Sequence, residues 1–165
     1  MWCNKIKDVR IENRQMMRCQ PIGHHKKEKS MMDAREFLKL YGLQVTLPRI
    51  LVIDDLMHNR FHATADEIFH RVNAQDDSVS RATVYNVLNT LVENKAVRAL
   101  TINDKTAHYD IDLTPHSHFR CTCCGRIIDI AMPTMGEAHL PKGCKLENEE
   151  LYYTGLCPEC AEYHA

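Results

Sequence analysis

Two Cys-x-x-Cys pairs, Cys121-x-x-Cys124 and Cys157-x-x-Cys160, constrain this chain more than any other feature. Their meaning depends on redox compartment. No apolar run approaches the roughly 18 residues that cross a bilayer. The basic N-terminus lacks the apolar stretch of a secretory signal. The expectation is therefore a cytoplasmic chain, with no membrane partner, whose thiols stay reduced. In that setting paired cysteines read as metal ligands. Each pair can occupy a tight turn, with both sulfurs aimed at one ion. Four thiolates favour tetrahedral Zn²⁺ and leave no open position, so the role is structural. Because the pairs come from both ends of a small segment, metal binding closes a long loop and couples to folding. A thiol–disulfide switch is the alternative. Cys123 and Cys144 read as passive.

A length of 165 residues, 44% hydrophobic and 26% charged, fits one soluble globular domain or two small ones. Net charge is near zero but uneven. Residues 1–30 hold eight Lys/Arg against three Asp/Glu, a balance of +5. The remainder holds thirteen against nineteen, a balance of −6. An acidic body argues against indiscriminate nucleic-acid binding, though not against a sequence-specific reader with a few placed cations.

Residues 1–30 have no sustained period and read as a flexible basic arm; Met31 and Met32, just before the first patterned helix, are also candidate start positions. Asp33-x-x-Glu36 reads as a capping box opening a helix through about Tyr41, which Gly42 ends. A second helix starts at Thr46-Leu47-Pro48-Arg49. Thr64-x-x-Glu67 is another capping box, for a helix from Ala65 to about Val72. Ser80 caps a fourth helix, Arg81 to Asn94, with Val84, Leu88, Leu91 and Val92 on its apolar stripe and Tyr85, Asn86 and Asn89 off it. Val97–Ile102 and His108–Ile111, separated by a polar turn, read as a hairpin. Helices followed by a hairpin are the winged helix-turn-helix order, with the helix before the hairpin as reader. Leu113-Thr114-Pro115 reads as a hinge. Strand-like runs follow at His116–Cys121, Arg126–Ala131 and Leu151–Leu156, in a part too small for a large core without a metal staple. The expected fold class is α+β, with boundaries at 1–30 (arm), 31–112 (winged helix), 113–115 (hinge) and 116–165 (a small α/β dimerisation and metal-binding domain).

His116-Ser117-His118 is a second metal candidate, because residues i and i+2 of a strand share a face. Asp129 lies on the next strand, Asp110 ends the hairpin and His62 precedes the third helix. Such N/O donors suit exchangeable Fe²⁺, Mn²⁺ or Zn²⁺. A lone His62 reads first as a surface or capping residue, and spacing alone does not join it to this group.

The segments HATADEIF (62–69), SRATVYNVL (80–88), HSHFRCTCCGRIIDI (116–130) and GLCPEC (155–160) resemble the ferric uptake regulator (Fur) superfamily, and within it the peroxide-responsive branch. The resemblance spans roughly residues 33–161. It implies a structural zinc on Cys121, Cys124, Cys157 and Cys160, and a regulatory Fe²⁺ or Mn²⁺ on His62, Asp110, His116, His118 and Asp129. Asp129, where iron-uptake regulators commonly have Glu, and Asn86, where they commonly have Arg, favour the peroxide branch. Departures are the shifted proline at Pro48 and a shortened segment between Asp129 and Gly155, interrupted by Pro133, Gly136, Pro141 and Gly143. A curtailed dimerisation helix is expected there. Histidines that supply a further metal site in some relatives are replaced nearby by Glu149 and Glu150.

The resemblance implies a homodimeric repressor of a palindromic, A·T-rich operator, released when peroxide oxidises His62 or His116. Tyr85 and Asn86 are the candidates for base readout, and Arg81, Thr83 and Arg49 for phosphate or base contacts. The alternatives are an iron-, zinc- or manganese-responsive regulator on the same scaffold, a non-haem iron enzyme, and a zinc-ribbon adaptor binding protein alone. Five protein ligands leave little room for substrate plus oxygen, which disfavours the enzyme. The patterned reader helix disfavours the adaptor.

Overall fold

The computed structural model describes residues 32–60, 62–101, 106–133, 140–146 and 149–163; the 1–30 arm and the 103–105 turn lie outside them. Two compact units emerge, one ending at Pro115 and one beginning at His116.

The first unit carries four helices, α1 (Ala34–Leu40), α2 (Leu47–His58), α3 (Ala65–Gln75) and α4 (Arg81–Glu93), and a hairpin of β1 (Arg98–Leu100) and β2 (His108–Asp110). Short-range chemistry sets the helix starts. Thr64 caps α3 through a complete capping box with Glu67, and the Ser80 hydroxyl accepts from the Thr83 N–H at the start of α4. Asp33 caps α1 through the Arg35 N–H, so the expected Asp33–Glu36 box is realised as a simple cap. Thr46 makes no side-chain cap, and Pro48 stands in the first turn of α2. The apolar stripes of the helices meet in one core that includes Leu38, Ile53, Leu56, Ile68, Leu88 and Leu91. Val87 is buried with the α4 stripe, whereas Val92 is only partly covered. Asp55 of α2 is buried and takes a bidentate clamp from Arg71 of α3, at 2.7 and 2.8 Å.

In the hairpin Arg98 pairs with Asp110 and Leu100 with His108. The segment before α3 lies along the other side of β2. Thr64 bridges His108, and the Tyr109 N–H donates to the Ala63 carbonyl at 3.0 Å.

The second unit is a three-stranded sheet of β3 (His116–Cys121), β4 (Ile127–Ala131) and β5 (Tyr152–Gly155), in the order β4-β3-β5, followed by the short helix α5 (Pro158–Glu162). β4 runs antiparallel and β5 parallel to β3. No helix or strand occurs among the described residues between Ala131 and Tyr152. Among the described residues no helix is long and apolar enough to cross a membrane.

Candidate metal centres and reading face

The four paired cysteines come together at one end of the second sheet. The parallel pairing of β3 with β5 sets Cys121 opposite Gly155, so both strands run out at the same edge and each is followed by a cysteine turn. The first turn closes through Gly125, whose N–H donates to the Cys121 carbonyl at 3.0 Å. The second starts α5, with Cys157 at its N-cap and Pro158 in its first turn. A Cβ on Gly155 would stand 3.1 Å from the Phe119 ring, tighter than an ordinary contact, so a larger residue there would push the ring aside by a few tenths of an ångström.

The Sγ atoms of Cys121, Cys124, Cys157 and Cys160 all lie within 4.8 Å of one another. Those of Cys124 and Cys157 are 3.8 Å apart. Four sulfurs set tetrahedrally about 2.3 Å from one ion would be about 3.8 Å apart, so this cluster fits zinc. The Cys157 N–H donates to the Cys121 sulfur at 3.3 Å. Burial pushes the Cys121 thiol up, but hydrogen bonds from the Cys124, Cys157 and Cys123 backbone and from the Cys124 side chain outweigh it, and the pKa falls to about 6. Cys124 is raised, foremost by burial. Cys160 is raised, foremost by its hydrogen bond with Cys157. One thiolate therefore forms readily, while Cys124 and Cys160 need a cation to ionise beside it. All six described cysteines are free thiols.

His116 and His118 project from one face of β3, as the alternation of a strand requires. Register brings Asp129 of β4 directly opposite His118. Asp129 Oδ1 stands 3.5 Å from His116 Nε2 and 3.8 Å from His118 Nε2. These distances exceed good hydrogen bonds. The two rings meet edge-on with centroids 4.5 Å apart. The ring of Tyr152 stacks on His118 at 5.8 Å. Two imidazoles and a carboxylate converging on one place form a set of N/O donors suited to a divalent transition metal.

In the first unit, His62 and Asp110 are both buried. A ring nitrogen of His62 and a carboxylate oxygen of Asp110 lie within 4.8 Å. His62 adopts φ +48°, a left-handed conformation uncommon outside glycine. Its carbonyl accepts a hydrogen bond from His108 Nδ1 at 2.6 Å. The Asp112 N–H donates to Asp110 Oδ1 at 2.8 Å. Sequence reasoning missed His108 and Tyr152. The only available signal for His108 was its position two residues before Asp110 on the same strand face.

The candidate reading residues divide between two sides of α4. Arg49, Thr83 and Asn86 line one shallow groove of about 250 Å³ with Gln44 and Thr46. Arg49 donates to the Gln44 carbonyl at 2.8 Å, and the Thr83 hydroxyl bonds that of Ser80 at 2.8 Å. Arg81 and Tyr85 turn instead toward α3. Both are exposed.

Residues 41–154 match the ferric uptake regulator family. The chain belongs to this family. It is 32% identical over 137 residues to the peroxide operon regulator of Bacillus subtilis, covering 80% of this chain and 94% of that protein. Among solved structures, the Helicobacter pylori ferric uptake regulator Fur, described as having three functional metal binding sites, superposes with a TM-score of 0.61 at 25% identity, over 79% of this chain and 91% of that one. The Campylobacter jejuni peroxide stress regulator superposes with a TM-score of 0.57 at 26% identity, over 78% of this chain and all of that one. This chain thus joins a winged-helix unit and a small unit with a four-cysteine cluster in one α+β fold. The three relatives named above are regulators by name.

Proposed function

We propose that this Fur-family chain is a cytoplasmic, homodimeric, metal-dependent repressor that senses hydrogen peroxide. The observation that carries the reading is the convergence of His116, His118 and Asp129 on one place in the sheet, beside a separate all-cysteine cluster. The two donor sets differ in chemistry. The thiolate set suits a permanent structural Zn²⁺, and the N/O set suits an exchangeable Fe²⁺ or Mn²⁺. The identity to the Bacillus peroxide regulator supports the peroxide branch.

In this reading residues 31–112 read DNA, 113–115 act as a hinge, and 116–165 dimerise and bind metal. His62 and Asp110 join His116, His118 and Asp129 as ligands of one ion. Fe²⁺ held there supplies, when bound, the electrons that reduce hydrogen peroxide. The chain's part is to hold the imidazoles of His62 and His116 where that oxidant arises. Gain of one oxygen by either ring weakens it as a donor, and the grip that His62 gives the reading unit is lost. In a two-fold dimer that grip sets the spacing of the two α4 helices, which must enter major grooves about one helical turn, or a multiple of it, apart. Arg49, Thr83 and Asn86 on one side of α4, with Arg81 and Tyr85 on the other, meet the operator, a palindromic A·T-rich duplex.

The superposition on the Helicobacter ferric uptake regulator favours a second reading, an iron-, zinc- or manganese-responsive regulator on the same scaffold. Promoter binding with Fe²⁺ or Mn²⁺, each with and without hydrogen peroxide, separates the two. Peroxide should release the Fe²⁺ form alone and add 16 mass units to a peptide bearing His62 or His116. Release on metal depletion without any response to peroxide would select the second reading.

A further inference from the structure

Asp66, in the first turn of α3, uses a single oxygen to hold two residues of the reading helix. Its Oδ1 stands 3.0 Å from Arg81 Nη1 and accepts from the Tyr85 hydroxyl at 3.3 Å. Arg81 and Tyr85 are four positions apart on α4 and therefore share a face. The Arg81 guanidinium also lies 5.3 Å over the Phe69 ring, so it is fixed from two directions by α3. Beside the carboxylate a cleft of about 340 Å³ runs between the start of α3, Tyr85 and the hairpin residues Thr106, Ala107 and Tyr109. The side chains of Arg81 and Asp66 are 55% and 49% exposed. An ion pair so exposed adds little to the stability of the fold. A negative charge on the reading face also opposes DNA phosphates. The ion pair's own contribution to stability therefore does not account for the contact with Arg81 and Tyr85.

We infer that Asp66 is a specificity-determining positioning residue. Its carboxylate orients Arg81 and Tyr85 for base and backbone contacts while suppressing sequence-independent attachment to DNA. The inference rests on the proposed reading of DNA by α4. Non-specific affinity comes almost wholly from neutralised phosphates, whereas specific affinity adds oriented contacts. A carboxylate that engages one arginine per protomer removes about one phosphate neutralisation from the non-specific mode. It also keeps the Tyr85 ring in one pose, at little cost to the specific mode. This is discrimination by a repulsive element placed beside an attractive one.

The test uses full-length protein loaded with Mn²⁺. The probes are an A·T-rich palindromic duplex, selected by the wild type from a randomised library, and poly(dI-dC) as non-specific DNA. Asp66→Asn removes the charge but keeps an acceptor, Asp66→Ala removes both, and Asp66→Glu keeps the charge. Asp66→Asn should steepen the slope of log K against log salt by about 0.9 per protomer, and raise non-specific affinity about fivefold per protomer at 0.15 M salt. Asp66→Ala should do the same and also weaken the selected duplex at least about fivefold, through the loss of oriented contacts. Asp66→Glu should keep the wild-type slope. All three should melt like the wild type. If Asp66→Asn and Asp66→Ala leave the salt slope unchanged and the ratio of selected to non-specific affinity within twofold, the inference is overturned. The same holds if Asp66→Glu steepens the slope as Asp66→Asn does. If the wild type selects no duplex at all, the DNA-reading proposal itself fails, a result separate from any of these.

Discussion

Replacing Cys157 with serine should unfold the second unit and leave the first standing. Among the described residues of the second unit, Ile127 is the one aliphatic side chain that is buried; Cys121 and Cys157 supply the rest of its buried apolar set. Burying one isoleucine stabilises by about 1.5–3 kcal/mol. Ordering a residue's backbone costs about 1–2 kcal/mol, so this core cannot hold a three-stranded sheet by itself. A structural zinc site contributes on the order of 10–16 kcal/mol. That is as large as the whole stability of an ordinary domain. Cys157 is central to the cluster. Its sulfur lies 3.8 Å from that of Cys124, and its N–H donates to that of Cys121. The first unit has its own core, eighteen buried residues among those described, around α1–α4. Cys157→Ser should therefore lose its tightly held zinc on dialysis against a weak chelator, as metal analysis would show. Amide signals of residues 116–163 should collapse to random-coil shifts, while those of the α1–α4 core stay dispersed. Full zinc content, or native shifts for β3–β5 in the variant, would refute the argument that metal substitutes for a core.

Two further outcomes follow from the first unit. Asp55→Ala leaves Arg71 without its bidentate partner. Loss of a buried partner costs about 3–5 kcal/mol, but the Arg71 side chain is 36% exposed, so water can take over part of the bond; the expected loss is about 2–3 kcal/mol in denaturant unfolding. Asp76, in the turn between α3 and α4, accepts hydrogen bonds from the Ser78 hydroxyl and N–H, which hold its pKa below the ordinary 3.8. Its contribution is then fully present above pH 3.8 and is lost as pH falls through the lower folded value; an NMR titration of Asp76 should show a midpoint below 3.8, and Ser78→Ala should move it back up.

The parts of this protein that were legible in its sequence are those whose partners lie close along the chain. The caps at Thr64 and Ser80 are satisfied within three residues, and helix-spaced apolar residues announce the core. The strands His116–Cys121 and Ile127–Ala131 appear almost where alternation put them. Local pattern overran or fell short only at element ends. α3 continues past Val72 to Gln75 because no breaker intervenes, and the polar residues added at its end can face water. β1 is limited to Arg98–Leu100, the stretch that pairs with β2. α5 escaped notice because five residues after Cys157 are too few to show a period.

The two donor clusters differ in legibility for a physical reason. A cysteine pair on a turn brings its second ligand with it, so Cys121-x-x-Cys124 and Cys157-x-x-Cys160 each carry half a tetrahedron in four residues. The parallel pairing of β3 and β5 only has to bring the halves together. A histidine carries no such companion. His62 is held by a left-handed backbone and by a hydrogen bond from His108, forty-six positions away, and neither leaves a mark in composition or spacing. Asp66 is hidden in the same way. In the sequence it is an ordinary acid in the first turn of a helix, favourable there for the helix dipole. Only the packing of α3 against α4 turns its carboxylate toward Arg81 and Tyr85, nineteen positions from the latter. Structural metal sites of this kind are therefore written locally, while the residues that tune ligand placement and DNA reading are written in tertiary contacts.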